Sequence, residues 1–288
     1  MILDGEIDLD AYFARVGYRG PGAADLATLR ALHLAHPSSI PFESLDPFLG
    51  RPVRLDPASL QAKLVAGGRG GYCFEHNGLL RLVLEALGFA VTPLAARVRW
   101  MLADDAPRTA LSHMLLKVDL REGAFLADVG FGGQSPTAPL RLEPGLVQST
   151  PHGDYRLMQK DAAVLELQMR LPTPAPASTS EARWRVMHRF TTEPQGHEDY
   201  ETYNWRTSTH PASRFTNNLV ASRVVGATRV NLLNRERTVH WLNGRTEREI
   251  LADAAALGQA LERDFGLTLD ADDLDALQAR LPAPAPPA

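Results

Sequence analysis

The chain has 288 residues and a formal net charge of −4, from 30 basic and 34 acidic side chains. With no long basic run, nucleic acid is a poor candidate partner, because binding to a phosphate backbone depends on clustered cations. No apolar run approaches the roughly 18 residues of a membrane span, and the acidic first residues differ from a signal peptide. We therefore expect a cytoplasmic protein without a membrane partner.

The first ninety residues have the apolar spacing of helices. Helices are predicted over residues 8–16, 23–34 and 58–64. The third follows Asp56 and Pro57, which suit the cap and first turn of a helix. A fourth helix begins at Cys73 and ends near Gly88.

From residue 90 to about 170 the pattern changes to short β-type runs separated by breaks rich in Gly, Pro and Asp. The predicted strands are residues 91–99, 113–120, 124–129, 155–159 and 164–169. A proline-rich run, residues 171–176, has the composition of a stiff linker.

The last third mixes strands with two late helices. The predicted strands are residues 224–232 and 238–242, and the predicted helices are residues 247–265 and 272–281. Thr246 and Glu249 form a capping box for the first helix, and Asp270 precedes the second. The tail, residues 282–288, contains only proline and alanine, and we expect it to be disordered.

Cys73 is the only cysteine, so it cannot form an intrachain disulfide or supply the paired thiolates of a zinc ribbon. It is either a small core residue or a reagent. Its place in the first turn of a predicted helix favours the second interpretation, because the positive end of the helix dipole stabilises a thiolate. The sequence therefore predicts a cysteine nucleophile.

A nucleophilic thiol needs a base, and the base needs an orienting group. His76 shares the first turn with Cys73, where two side chains rarely align as a nucleophile and base, so we expect it to be structural. His113 opens a predicted strand and is the better candidate. Asp128 is a charge within the next apolar strand, and a buried carboxylate normally has a partner.

Two registers of this strand pair keep His113 and Asp128 on one face. With a short loop, Asp128 lies opposite Lys117 and about 13 Å from His113 along the strand. A wider loop, residues 120–123, places Asp128 opposite Leu115, diagonal to the imidazole and within its reach. The pattern alone leaves both registers open.

Three segments carry a specific resemblance. Residues 69–77 (RGGYCFEHN), 113–116 (HMLL) and 128–133 (DVGFGG) together resemble the arylamine N-acetyltransferase family. Residues 40–46 (IPFESLD) and 208–219 (STHPASRFTNNL) resemble further parts of it. The similarity extends over most of the chain, from about residue 10 to residue 270.

The resemblance implies an α+β fold with a papain-like cysteine core, in which a helical bundle is followed by a β-barrel and an α/β lid. The implied domains are residues 1–89, with the nucleophile, residues 90–200, with the histidine and aspartate, and residues 201–281, the lid. It also implies a Cys–His–Asp triad, which here is Cys73, His113 and Asp128.

The implied activity is ping-pong transfer of an acetyl group from acetyl-CoA, as co-substrate, to the nitrogen of an arylamine or arylhydrazine through an acetyl-cysteine. No bound cofactor is expected. The residues expected to contact CoA are Thr109, Gly130, Gly132 and Gly133. In the family Pro-Arg-Thr or Pro-Arg-Ser often runs directly into the histidine, whereas Ala110, Leu111 and Ser112 separate Thr109 from His113 here. Phe131 and Phe215 are candidate aromatic walls for the acceptor.

Alternatives stay open at this point. The same triad serves a cysteine hydrolase, and the same fold serves an amide synthase with a specialised acyl donor; a catalytically silent binding module is a third option. A homodimer is one option for the oligomeric state. No metal site is expected, because four further histidines have no metal-ligand spacing with a second donor: His188, His197, His210 and His240.

Overall fold

The computed structural model describes residues 7–171 and 184–281. Its helices are α1 (Leu9–Val16), α2 (Leu26–Ser39), α3 (Leu45–Phe48), α4 (Pro57–Leu60), α5 (Cys73–Ala86), α6 (His197–Thr209), α7 (Arg214–Asn217), α8 (Ala254–Ala260) and α9 (Ala271–Arg280). Two of them, α4 and α8, continue as π-helical segments over Gln61–Ala66 and Leu261–Phe265. The predicted linker beyond residue 171 and the predicted disordered tail lie outside the described residues.

The strands form two antiparallel sheets. They are β1 (Phe42–Glu43), β2 (Ala90–Val98), β3 (His113–Leu120), β4 (Gly123–Ala127), β5 (Leu140–Arg141), β6 (Val147–Thr150), β7 (Gly153–Gln159), β8 (Leu165–Arg170), β9 (Trp184–Phe190), β10 (Val220–Val225), β11 (Thr228–Leu233), β12 (Glu236–Trp241) and β13 (Thr246–Ile250). The larger sheet has the order β5-β4-β3-β2-β9-β8-β7-β6, and the smaller has the order β1-β10-β11-β12-β13. The predicted α+β class is confirmed.

The strand β3 is buried on both faces and joins the helical part of the molecule to the larger sheet. Met114, Leu116 and Val118 pack in one core with residues of α5, whereas Leu115, of opposite parity, packs in the core of the larger sheet. Side chains alternate between the two faces of a strand, so β3 contributes to both cores at once. This arrangement places the start of β3 beside the start of α5.

The predicted helix over residues 247–265 is wrong in its first part. Thr246–Ile250 is an edge strand paired with β12, and α8 begins only after Asp253, whose side chain accepts a hydrogen bond from Ala256 N. A reversal at Asn243 and Gly244, where Gly244 has φ +87°, turns the chain back into the sheet. Asn-Gly is a strong hairpin signal, and it overrides the capping-box pattern.

The predicted strand over residues 224–232 is also wrong, because it is broken into two strands of a hairpin, β10 and β11. The chain reverses at Gly226, which has φ +55°. Helix α6 and strand β9 were not predicted. Other boundaries differ by a few residues; α2, for example, begins after Asp25, whose carboxylate caps Thr28 N. Within residues 7–171 and 184–281, no helix has the length and apolarity needed to cross a bilayer.

A chain of buried hydrogen bonds joins α1, α2 and α5. Tyr12 Oη lies 2.9 Å from His36 Nδ1, His36 Nε2 lies 3.0 Å from His76 Nδ1, and His76 Nε2 lies 3.1 Å from the Pro41 carbonyl oxygen. The carbonyl can only accept, so each ring donates from Nε2, and Tyr12 donates to His36. Both nitrogens of His76 are thus engaged in neutral hydrogen bonds, in accord with a structural role.

Burial keeps these rings uncharged. It lowers the pKa of His76 to about 4 and the pKa of His36 well below its ordinary value of 6.5. His33, also in α2, has its pKa lowered by burial to about 4, and its Nε2 accepts a hydrogen bond from the backbone N of Asp128. The folded protein therefore contains histidines that an unfolded chain would protonate near pH 6.

We expect the free energy of unfolding to fall as the pH is lowered from about 6.5 toward 4. In this range the unfolded chain binds protons at histidines that the folded state keeps neutral, at up to about 1.4 kcal/mol per pH unit for each. Urea titrations of the wild type and of His76→Leu between pH 7 and pH 4.5 measure this slope. His76→Leu is expected to be less stable at pH 7 but to show a shallower pH dependence.

The matched control is His197→Gln, at a side chain that is 52% exposed. This variant should keep the wild-type slope. A wild-type slope in His76→Leu would contradict the assignment of the acid sensitivity to the buried ring.

Candidate active site

The turn before α5 is tightly packed and places Cys73 at the first position of the helix, as predicted. Glu75 accepts a hydrogen bond from Tyr72 N at 3.0 Å, which satisfies one of the unpaired donors of the first turn. A Cβ atom at Gly70 would lie 1.9 Å from the Pro41 carbonyl oxygen, so only glycine lets the two backbones approach. The nucleophile turn is thus held against the segment that leads into β1.

A buried ion network anchors the same turn. Arg69 lies 2.7 Å from Glu43 and 3.3 Å from Asp46, and Lys63 lies 2.5 Å from Asp46 and 2.6 Å from Glu75. Burial alone would raise the pKa of Asp46, but the two cations more than offset it and hold the pKa below its usual range. Burial raises the pKa of Glu75. The network was not predicted from the sequence, because its members come from four separate segments.

His113 and Asp128 form a direct buried pair, with His113 Nε2 2.7 Å from Asp128 Oδ2. Burial opposes a charged imidazole, but the carboxylate more than offsets it and raises the pKa of His113 to about 10. Burial likewise opposes the carboxylate charge, yet His113 holds the pKa of Asp128 well below its usual range. The side chain of Cys73 also contacts His113, and its Sγ lies 3.6 Å from the Ser112 carbonyl oxygen.

The register that brings this pair together is the one with Asp128 opposite Leu115. Leu116 pairs with Ala127 in the β3–β4 hairpin, so the next position along places Asp128 opposite Leu115. The alternative register, with Asp128 opposite Lys117, is wrong. Three residues that the sequence singled out, Cys73, His113 and Asp128, are therefore side by side at the junction of α5 with β3.

Asn77 is a site residue that sequence reasoning missed. Its Nδ2 donates to Asp128 Oδ1 at 3.0 Å and to the Met114 carbonyl oxygen at 2.7 Å, while its Oδ1 accepts from Val129 N at 3.1 Å. It follows Cys73 by four residues, and this spacing places both side chains on one helix face. The four-residue separation from Cys73 could therefore have identified Asn77 as a site residue from the sequence.

His188, from β9, is a second missed residue. Its Nε2 lies 3.4 Å from Asp128 Oδ2, so His113, Asp128 and His188 bring three donor atoms within 4.8 Å of one another. Sequence spacing gave His188 no second donor, but the fold brings two beside it, because β9 comes from a distant part of the sequence. A hydrogen bond from His113 Nε2 to the carboxylate engages that nitrogen, which leaves it no lone pair for a metal.

A cleft of about 420 Å³ opens onto Cys73 and His113. Among its lining residues are the glycines and phenylalanines that the sequence proposed: Gly130, Phe131, Gly132, Gly133 and Phe215. Phe131 contacts the His113 ring edge-on at 5.3 Å between centroids. Thr109 is not among the residues that line this cleft, and its hydroxyl donates to the Val98 carbonyl oxygen at 2.9 Å.

The glycine-rich loop, residues 130–133, lies directly against Cys73. A Cβ atom at Gly130 would lie 2.7 Å from Asn77 Nδ2 and 2.9 Å from Cys73 Cα, and Gly130 N donates to Asp128 Oδ1 at 3.0 Å. Gly132 has φ +82°, a left-handed conformation that glycine adopts without strain, and it lines the cleft. The arrangement presents a thiol, a charged imidazole and glycine backbone in one partly apolar cleft, which is suited to acyl transfer.

Comparisons with known proteins agree with this chemistry. The profile of the N-acetyltransferase family matches residues 25–274. An arylamine N-acetyltransferase of Mycobacterium tuberculosis (strain ATCC 25618 / H37Rv) is 45% identical over 280 residues, which cover 96% of this chain and 95% of the relative.

Solved structures give the same result. The structure of Mycobacterium marinum arylamine N-acetyltransferase superposes with a TM-score of 0.89 at 39% identity, and the match covers 95% of this chain and 100% of the other. A structure of the M. marinum enzyme in complex with CoA has a TM-score of 0.87 at 41% identity, and covers 95% and 98%. The chain belongs to the arylamine N-acetyltransferase family.

Proposed function

We propose that the protein transfers an acetyl group from acetyl-CoA to the nitrogen of an arylamine or arylhydrazine through an acetyl-cysteine on Cys73. The observation that carries this proposal is the contact of Cys73 with a His113 imidazole that Asp128 keeps charged. The CoA complex of the M. marinum relative supports the choice of donor. The names of the relatives support the choice of acceptor.

In the first half-reaction, the thiolate of Cys73 attacks the carbonyl carbon of the thioester and forms a new C–S bond. When the bond to CoA breaks, the leaving thiolate takes the proton of His113. Asp128 holds the imidazole in place and stabilises its charge before transfer. Backbone N–H groups of the first turn of α5 are the proposed donors to the oxyanion, because they have no intrahelical partner.

In the second half-reaction, the nitrogen of the acceptor attacks the acetyl-cysteine. His113 now accepts the proton of this nitrogen, the C–S bond to Cys73 breaks, and the amide leaves. The enzyme returns to a thiolate beside an imidazolium, so protons balance over the two steps. A thioester intermediate stays reactive toward an amine, because its exchange with the donor thioester is nearly balanced in energy.

The acyl donor and the acceptor are proposed to contact different residues of the cleft. Gly132 and Gly133 line the cleft with backbone free of side chains, which suits the phosphates of CoA, whereas the N–H of Gly130 is already donated to Asp128. Phe131 and Phe215 offer apolar faces that suit a flat ring. Contact of Thr109 with CoA stays a prediction, as do the division into residues 1–89, 90–200 and 201–281, the homodimer and the cytoplasmic location.

Acetyl-CoA alone is expected to release about one equivalent of CoA and then stall, because the acetyl-enzyme waits for an amine. Intact mass spectrometry should show a gain of about 42 Da, the mass of one acetyl group. Adding 4-aminobenzoate, aniline or a hydrazine should remove the adduct and restart CoA release. Cys73→Ala is the matched control and should show neither event.

Continuous release of CoA without an amine would contradict the transferase and favour the hydrolase. No release with acetyl-CoA, but a burst with another acyl thioester, would favour the amide synthase.

Iodoacetamide is expected to label Cys73 at about pH 6, where ordinary free thiols react slowly. His113→Ala should abolish this labelling, because the positive imidazole that stabilises the thiolate is lost. Asp128→Asn should lower the turnover number by about 10³ to 10⁴-fold, through loss of the imidazole orientation. Labelling rates and steady-state rates measure the two effects.

His197→Gln serves as the control for histidine replacement, since its ring is half-exposed and away from the cleft. If His113→Ala kept the labelling at pH 6 while its circular dichroism was native, the base would have to be another residue.

A further inference from the structure

Two imidazole rings share one carboxylate at the active site. The ring of His188 stacks on that of His113, with 5.1 Å between centroids and 30° between planes. Its Nε2 lies 3.4 Å from Asp128 Oδ2, the same oxygen that His113 Nε2 approaches to 2.7 Å. Phe131 and Phe190 enclose the ring on other sides, at 5.6 Å between centroids in each case.

His188 is fully buried, and among residues 7–171 and 184–281 neither ring nitrogen has a well-directed hydrogen bond. A buried polar side chain of this kind calls for an explanation. The titratable groups that face the ring are His113 and Asp128; the residues paired with His188 on the flanking strands, Val98 and Leu167, are apolar. Because Nε2 faces a carboxylate oxygen, which can only accept, the tautomer with hydrogen on Nε2 is favoured.

We propose that His188 is a positioning residue of the acyl-transfer site. Its stacked ring holds His113 toward Cys73, and its N–H dipole partly offsets the negative charge of Asp128. This role rests on the proposed thiolate chemistry of Cys73. It extends that chemistry by a fourth side chain. The triad then operates as a Cys–His–Asp group with a second, neutral imidazole behind the carboxylate.

The neutral state of His188 follows from its surroundings. Burial lowers the pKa of His188, and the positive charge of His113 lowers it further, although Asp128 acts in the opposite direction. One carboxylate thus supports one charged ring, and that ring is His113. The partial positive charge of the His188 N–H weakens the field of Asp128 at His113, which makes the His113 proton easier to release to the departing CoA thiolate.

Two substitutions separate the ring from its N–H. His188→Phe keeps a flat ring of similar size but removes the dipole, so Asp128 acts on His113 alone. We expect the titration of His113, followed by NMR with ¹³C-labelled histidine, to move up by about half to one pH unit. The turnover number should fall by up to about tenfold with little change in KM for acetyl-CoA, because His113 becomes a weaker acid.

His188→Gln keeps an N–H donor without the ring. It should return the His113 titration to within a few tenths of a pH unit of the wild type, while the turnover number stays low because the stacking is lost. Phe190→Leu is the matched control, since it disturbs the packing of the same ring without touching the dipole. It should leave the His113 titration unchanged.

The results that would overturn the role of His188 differ from those that would overturn the proposed acetyl transfer. Wild-type titration and turnover in His188→Phe would overturn the proposal, and so would an equal shift in Phe190→Leu, which would assign the effect to packing. If wild-type Cys73 failed to form the acetyl adduct, the proposed function would fail first, whatever His188 does to His113.

Discussion

The active site depends on one buried carboxylate that must have a donor at each of its oxygens. An ionised carboxylate away from water is stable only when it is paired and hydrogen-bonded. Asn77 and Gly130 donate to one oxygen of Asp128, and His113, with His188 beside it, occupies the other. These residues come from α5, the glycine-rich loop, β3 and β9. The packing of four elements is therefore a condition for the charge of His113.

The turn that carries Cys73 is held by a second set of paired charges, separate from those around Asp128. Arg69 and Lys63 neutralise the acids around the turn before α5, with Glu75 also capping the helix. Because both sets meet at α5, the helix start is fixed from two sides. The position of Cys73 relative to His113 is thus set by charge pairing as much as by apolar packing, and partial loss of either set would leave an uncompensated buried charge.

The sequence sufficed for those parts of the site that local pattern determines. Helix spacing placed Cys73 at a helix start, and strand parity put His113 and Asp128 on one face. The choice between two registers needed the structure, because loop length shifts the pairing without changing the face. His188 could not be identified from the sequence, since β9 comes from a distant segment and only its pairing with β2, the neighbour of β3, brings His188 to His113 and Asp128.

The wrong predictions for residues 224–232 and 247–265 also arise from turns and strand pairing. Residues 247–265 have helical polarity, but a turn at Asn243 and Gly244 commits the first five residues after Arg245 to the edge of a sheet. Pairing with a neighbouring strand outweighs intrinsic preference when the turn geometry is favourable. The break at Gly226 was missed because no proline or asparagine accompanies the glycine.

The segment Phe42–Glu43 connects the chemistry to the wall of the cleft. As β1 it pairs with β10 of the smaller sheet, and Glu43 N donates to the Gly71 carbonyl oxygen at 2.7 Å beside the nucleophile. The wall that includes Phe215 is thereby tied to the turn that carries Cys73, although the two lie far apart in the sequence. Substitutions at Phe215 that leave β1 in place are therefore expected to change the wall of the cleft without moving the turn that carries Cys73.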